Sequence, residues 1–146
     1  MVCDCVGKGQ NLDERTTVSD TIKTRSVVLD CPDPRALAEF YSQVLDWPIT
    51  YADDEWVVLK SSEPMRICFQ QVPNHTPPTW PEGPVPQQFH LDFTVDEFDA
   101  TEKRVLAAGA TKADFQPGDD FVVFYDPVGH PFCLCLGAPT SEDLPL

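Results

Sequence analysis

His90 and Asp92 stand two residues apart in the run FHLDFTV, whose β-branched and aromatic content predicts a strand. Side chains at i and i+2 of a strand share a face, so the imidazole and the carboxylate point the same way. Histidine is the side chain best matched to proton transfer near neutral pH, and a neighbouring carboxylate can orient or support it. The same pair also suits a plain structural hydrogen bond, and both readings stand. Six cysteines add further reactive groups. Cys31, Cys68, Cys133 and Cys135 lie in apolar, strand-like runs, and Cys3 and Cys5 in a polar leader. No C-x-x-C pair occurs, which excludes thioredoxin-like chemistry and the usual zinc-finger spacings. Cys68 or Cys133 facing His90 would be an activated thiol; the competing reading is a small buried hydrophobe. Arg66 either pairs with Asp30 or Asp92, or clamps a carboxylate or phenolate on a ligand. Gly7-Lys8-Gly9 is too short for a phosphate loop.

These groups belong to a chain of 146 residues, one domain's worth. It is 42% hydrophobic and 23% charged, too apolar for whole-chain disorder. Its net charge of −14 argues against nucleic acid, which needs cationic neutralisation of phosphates, and against anionic membrane surfaces. A cationic or neutral small molecule is the partner class left open. No secretory signal and no run approaching ~18 apolar residues is legible, so a cytoplasmic protein with reduced cysteines is expected.

Two similar halves position the reactive groups. Residues 1–22 read as a flexible tail. Thr24 to Cys31 is a first strand, and Asp33-Pro34 opens a helix as N-cap and first helical residue. Leu37, Phe40, Tyr41, Val44 and Leu45 form its apolar stripe, and Trp47-Pro48 ends it. Strands follow at Ile49–Ala52, Glu55–Lys60 and Met65–Val72. Residues 73–86 (PNHTPPTWPEGPVP) read as a stiff, polyproline-like linker. The pattern then restarts: a strand at Gln88–Val95, a helix capped by Asp96 and stopped by Gly109, and strands at Lys112–Gln116, Phe121–Tyr125 and Pro131–Leu136. Asp126-Pro127-Val128-Gly129 is the last turn, and 138–146 a C-terminal tail. The order is βαβββ, linker, βαβββ, and laying Ser26 on His90 and Asp33 on Glu97 gives an offset of 64 residues. Such a repeat implies two modules, 23–72 and 87–137, packed about a pseudo-twofold axis.

Alternation assigns faces. Leu91, Phe93 and Val95, Val27, Leu29 and Cys31, Ile67 and Phe69, and Phe132, Leu134 and Leu136 suit packing under a helix. The opposite faces carry Ser26, Val28 and Asp30, then Arg66, Cys68 and Gln70, then His90, Asp92 and Thr94, and finally Cys133 and Cys135. Trp56 and its repeat partner Phe121 are aromatic candidates beside them. Trp80, in the linker, either folds over the site or a second subunit, or staples the linker to the domain. Phe115, Phe124 and Tyr125 read as core.

The phrases SVVLDCPDPRALAEFYSQVLDW, RICFQ, FHLDFTVDEFDATEKRVLAAGA and FYDPVGHPFCLCL resemble the vicinal oxygen chelate superfamily, of glyoxalase and bleomycin-resistance type, over roughly residues 24–137. The resemblance implies an α+β glyoxalase-like domain at 23–137. Its two βαβββ modules would curl eight strands into a mixed sheet around a central cleft, with helices outside. The polar faces would then line that cleft. Metal-dependent members hold one divalent ion by four residues, and the corresponding positions here are Ser26, His90, Cys68 and Cys133. Only His90 matches. Serine is a poor ligand for a hard cation, and thiols prefer zinc. The resemblance therefore implies no cofactor, with a zinc ion on His90, Cys68 and Cys133 as the alternative. It implies a protein that binds a small organic molecule in the cleft, in the manner of drug sequestration. The alternative is a lyase or isomerase with His90 as acid/base and Asp92 supporting it. A homodimer is expected because superfamily members pair.

Overall fold

The computed structural model describes residues 22–137. The expected tail at 138–146, and all but Ile22 of the one at 1–22, lie outside the described residues, as do Cys3 and Cys5. Module one runs β1 (Ser26–Cys31), α1 (Pro34–Leu45), β2 (Ile49–Ala52), β3 (Trp56–Leu59) and β4 (Arg66–Gln71). Module two runs β5 (Leu91–Val95), α2 (Phe98–Ala108), β6 (Thr111–Lys112), β7 (Phe121–Tyr125) and β8 (Pro131–Leu136). The eight strands form two four-stranded mixed sheets, ordered β1-β4-β3-β2 and β5-β8-β7-β6. In each, the first and last strands of the module run parallel and the others antiparallel. The repeat holds to the level of register: Val28 pairs with Cys68 and Val58 with Cys68 in one module, Asp92 with Cys133 and Val123 with Cys133 in the other.

Helix α1 forms where its signals place it. The Asp33 carboxylate accepts from Ala36 N at 3.0 Å, and Pro34 takes the first turn. Asp46 closes the helix in the left-handed region at φ 57°. Its stripe buries Leu37, Phe40 and Tyr41. Tyr41 stacks on Phe69 of module one at 5.6 Å and meets Phe93 and Phe132 of module two at 6.3 and 6.4 Å. One helix thus joins both halves into a single core, which takes in Leu29, Val57, Leu59, Val105, Phe124 and Leu134. Arg104 of α2 adds a tie, donating twice to the Gln43 carbonyl at 2.9 and 2.8 Å.

Several expectations are corrected. The cap of α2 is Glu97, not Asp96: its carboxylate accepts from Ala100 N at 2.9 Å. This is the residue the 64-residue offset lays on Asp33, so the repeat placed the cap better than residue preference did. Gly109 does stop the helix, at φ 119°. β6 ends at Lys112 rather than Gln116. Beyond it the Gln116 side chain replaces the ladder, donating to the Ala113 and Val123 carbonyls and accepting from Val123 N at 2.8–2.9 Å. β5 begins at Leu91, so His90 stands just before the strand. The linker is no extended spacer. Thr79 N donates to the Val85 carbonyl at 2.6 Å, and Thr79 bridges to Pro86, folding the segment back on itself. Phe115 is 53% exposed rather than core, and Tyr125 is half-buried, while Phe124 is fully buried.

Candidate functional site

Strand alternation positions the polar faces as the pattern requires. Along β1, Leu29 and Cys31 are buried while Val28 and Asp30 are exposed; along β5, Asp92 and Thr94 are exposed and Val95 is buried. The strict alternation fails on β4 and β8, where Cys68 and Cys133 are buried although they lie on the polar face. Val58 and Val123 stand beside Cys68 and Cys133 in register, and Trp80, Phe121 and Tyr125 pack against the cluster that holds Cys133.

Within module two, His90 Nε2 lies 3.3 Å from Asp92 Oδ1. Asp92 sits beside Cys133 across the parallel β5–β8 pair. The donor atoms of His90, Asp92 and Cys133 all fall within 4.8 Å of one another. Burial pushes the Cys133 thiol up to about 12, with the charge of Asp92 and a hydrogen bond to it acting in the same direction. Cys133 is therefore a thiol at neutral pH and not an activated nucleophile. Burial also raises Cys68, against the lowering effects of a Ser26 hydrogen bond and the Arg66 charge.

The four positions implied for a metal are thus not brought together as a set. Cys68 keeps company with Ser26 and Arg66 in module one, and Asp92 takes its place beside His90 and Cys133. The residues do not fit the hard-cation centre of metal-dependent relatives, since no carboxylate stands on β4 or β8. An imidazole, a carboxylate and a thiol are instead a zinc-type donor set, which would have to displace the Cys133 proton on binding.

Two cavities adjoin His90. The larger, about 450 Å³, lies along the seam of the modules. Val28, Leu29 and Asp30 of β1, Tyr41 of α1, His90 and Leu91 of the second module and both arms of the linker line it. The smaller, about 220 Å³, opens over module two between Trp80, Phe121, Val123 and Cys133. Trp80 is stapled there: its carbonyl accepts the Tyr125 hydroxyl at 3.0 Å and its ring lies 5.7 Å from Phe115. Ser26, Trp56, Arg66, Cys68, Gln70, Asp92, Thr94 and Cys135 line neither cavity. Arg66 makes no ion pair with Asp30 or Asp92.

Residue patterns passed over a second polar centre. Asp126, read as a turn residue, is a buried charge, 3% exposed. It accepts Tyr41 Oη at 3.0 Å, the amides of Val128 and His130 at 3.0 Å, and His130 Nδ1 at 2.8 Å. His75 and His130 face each other at 5.1 Å and line the larger cavity with His90, so all three histidines of the chain adjoin it. The available signal was the Asp126–His130 spacing across a four-residue turn.

A fold of two βαβββ modules with a ligand-sized space on their seam defines a glyoxalase-type protein. The glyoxalase-like domain model matches residues 26–135, and the chain belongs to that family, within the vicinal oxygen chelate superfamily. No curated protein matches the chain significantly in sequence. Similar solved structures include a glyoxalase-related enzyme from Fulvimarina pelagi, with 18% identity, a TM-score of 0.61 and coverage of 79% of this chain and 88% of that one. A glyoxalase/bleomycin resistance protein/dioxygenase family enzyme from Burkholderia phytofirmans shares 19% identity, with a TM-score of 0.59 and coverage of 76% and 95%. The fosfomycin resistance protein FosX from Mesorhizobium loti also shares 19%, with a TM-score of 0.57 and coverage of 84% and 97%. At these identities the likeness is one of fold. Among the described residues, no helix is long and apolar enough to cross a membrane.

Proposed function

We propose that this protein binds a small organic molecule in the cavity on the seam of its modules, in the manner of drug sequestration and without a divalent metal, as a cytoplasmic homodimer. The carrying observation is the space itself. About 450 Å³ lies within the range of small-molecule sites, and its wall is drawn from both modules and the linker. A net charge of −14 favours cationic ligands through long-range attraction. The test is a thermal-shift panel of bleomycin, fosfomycin and the glutathione adduct of methylglyoxal. A ligand at 100 times its dissociation constant stabilises by about 2.7 kcal/mol, readable as an upward shift in Tm of several degrees. No shift with any probe class would overturn the reading.

The grouping of His90, Asp92 and Cys133 favours a second reading, a glyoxalase-like lyase or isomerase. There His90 transfers the proton and Asp92 supports it, with or without a zinc ion on the three residues. Equilibrium dialysis of the untagged protein against Zn²⁺ separates the two. Near-stoichiometric uptake, lost in His90→Ala, would displace the metal-free reading.

A further inference from the structure

Three residues on the wall of the module-seam cavity carry a hydrogen-bond acceptor that meets no donor among the described residues. Gln87 Oε1 is buried without a partner. His75 Nε2 lies 3.1 Å from the Val128 carbonyl. A carbonyl only accepts, so Nε2 holds the proton and Nδ1 of the neutral ring is a bare lone pair. His130 Nδ1 lies 2.8 Å from Asp126 Oδ2, on a carboxylate that already accepts the Tyr41 hydroxyl and two backbone amides. Donors converging from every side suit an ionised, acceptor-only carboxylate, so the proton sits on Nδ1 and Nε2 of the neutral ring is a lone pair as well. Neither free nitrogen has a hydrogen-bond partner among the described residues. His75, Gln87 and His130 all line the cavity, and Asp30, Tyr41 and His90 are the other titratable groups on its wall.

We propose that this cavity takes its ligand through a protic hydroxyl of the phenol or enol class, and that His130 Nε2 accepts the proton. The inference rests on reading the cavity as a ligand site. Val28, Val85, Phe89 and Leu91 supply apolar wall for a planar body. In the transfer the ligand O–H bond breaks and an N–H bond forms on Nε2. The electron pair stays on oxygen, leaving an oxyanion beside an imidazolium. Asp126, on the far side of the ring, offsets the new positive charge, as an orienting aspartate does for a histidine base.

The probes are 4-nitrophenol and, as its proton-free counterpart, 4-nitroanisole, at a pH where free 4-nitrophenol is mostly protonated. The expected result is binding of both, with the yellow nitrophenolate band appearing for 4-nitrophenol alone. His130→Gln abolishes the band and weakens 4-nitrophenol about tenfold or more, as for loss of a hydrogen bond to a charged group, with little change for 4-nitroanisole. Nitrogen-15 NMR of the ligand-free wild type should show the Nδ1–H tautomer at His130. Binding of both probes without the band, or an Nε2–H tautomer, overturns the proposal and leaves the cavity as a ligand site. Failure of 4-nitrophenol to bind overturns the proposal as well, and the ligand site itself falls only where the thermal-shift panel also shows no shift.

Discussion

The Tyr41 hydroxyl, in the helix of module one, donates to the buried Asp126 carboxylate of module two at 3.0 Å, across 85 residues of chain. It ties the two halves at the point where Tyr41 also stacks on Phe69. Tyr41→Phe keeps the ring and removes the donor to a buried charge, so a loss of about 1.5–3 kcal/mol is expected. Urea denaturation followed by both near- and far-ultraviolet circular dichroism would measure it. A midpoint equal to that of the wild type would show that the bond contributes nothing.

Stability should fall on the alkaline side. Burial raises Cys31 and Cys133 from 9.0 to about 12 and lifts Tyr41 well above 10.0. Folded-state values above the unfolded ones mean that the folded chain holds these protons more tightly. Their contribution is full below pH 9 and is lost as pH rises through the folded values. The urea midpoint should therefore decline from about pH 9 upward, and less steeply in Cys31→Ala, which removes one of the groups. A midpoint independent of pH between 8 and 11 would contradict the assignment.

Asp92 should control the reactivity of Cys133. Its charge and hydrogen bond both hold the thiol protonated. Asp92→Asn removes the charge, lowers the thiol's pKa and speeds alkylation by iodoacetamide at pH 8, because the thiolate is the nucleophile. Peptide mapping by mass spectrometry reads the rate at Cys133 itself. An unchanged rate would mean that burial alone protects the sulfur.

Gly129 should resist substitution. It adopts φ 96°, and a Cβ there would lie 2.6 Å from Pro77 Cβ in the linker. Gly129→Ala meets both backbone strain and a clash, at a cost of order 1–3 kcal/mol or more. The same change would push Pro77 away from the Asp126 turn, so the histidine Cε1–H resonances of His75 and His130 should shift. Wild-type stability together with unmoved resonances would argue that the linker is not seated on this turn.

Phe132 should be the costliest core truncation among the aromatics of module two. Its ring lies 5.7 Å from Phe124, 5.9 Å from Phe93 and 6.1 Å from Phe40, linking both modules. Phe132→Ala is expected to lose about 3–5 kcal/mol. Denaturant unfolding checks it, and a loss below 1 kcal/mol would show that the cavity collapses freely.

Local order was legible because it is local. The Asp33-Pro34 start, the Leu37–Phe40–Tyr41 stripe and the period-two faces of β1 and β5 follow from neighbours in the chain. The repeat located module two and even its true cap, Glu97, by offset alone. The family followed from the same phrases. Of the site, the period-two pattern paired His90 with Asp92, and Cys133 stood only as one cleft candidate beside Cys68. What tertiary structure decided was how distant groups meet. Burial of Cys133 against Asp92 is a cross-strand event, which turned a candidate nucleophile into a held thiol. The folding-back of the linker brought His75 and Gln87 to the cavity. Asp126 became a buried charge only because Tyr41 and the Val128–His130 backbone enclose it. No periodicity encodes such meetings, because desolvation and hydrogen-bond satisfaction depend on what the rest of the chain places around a residue.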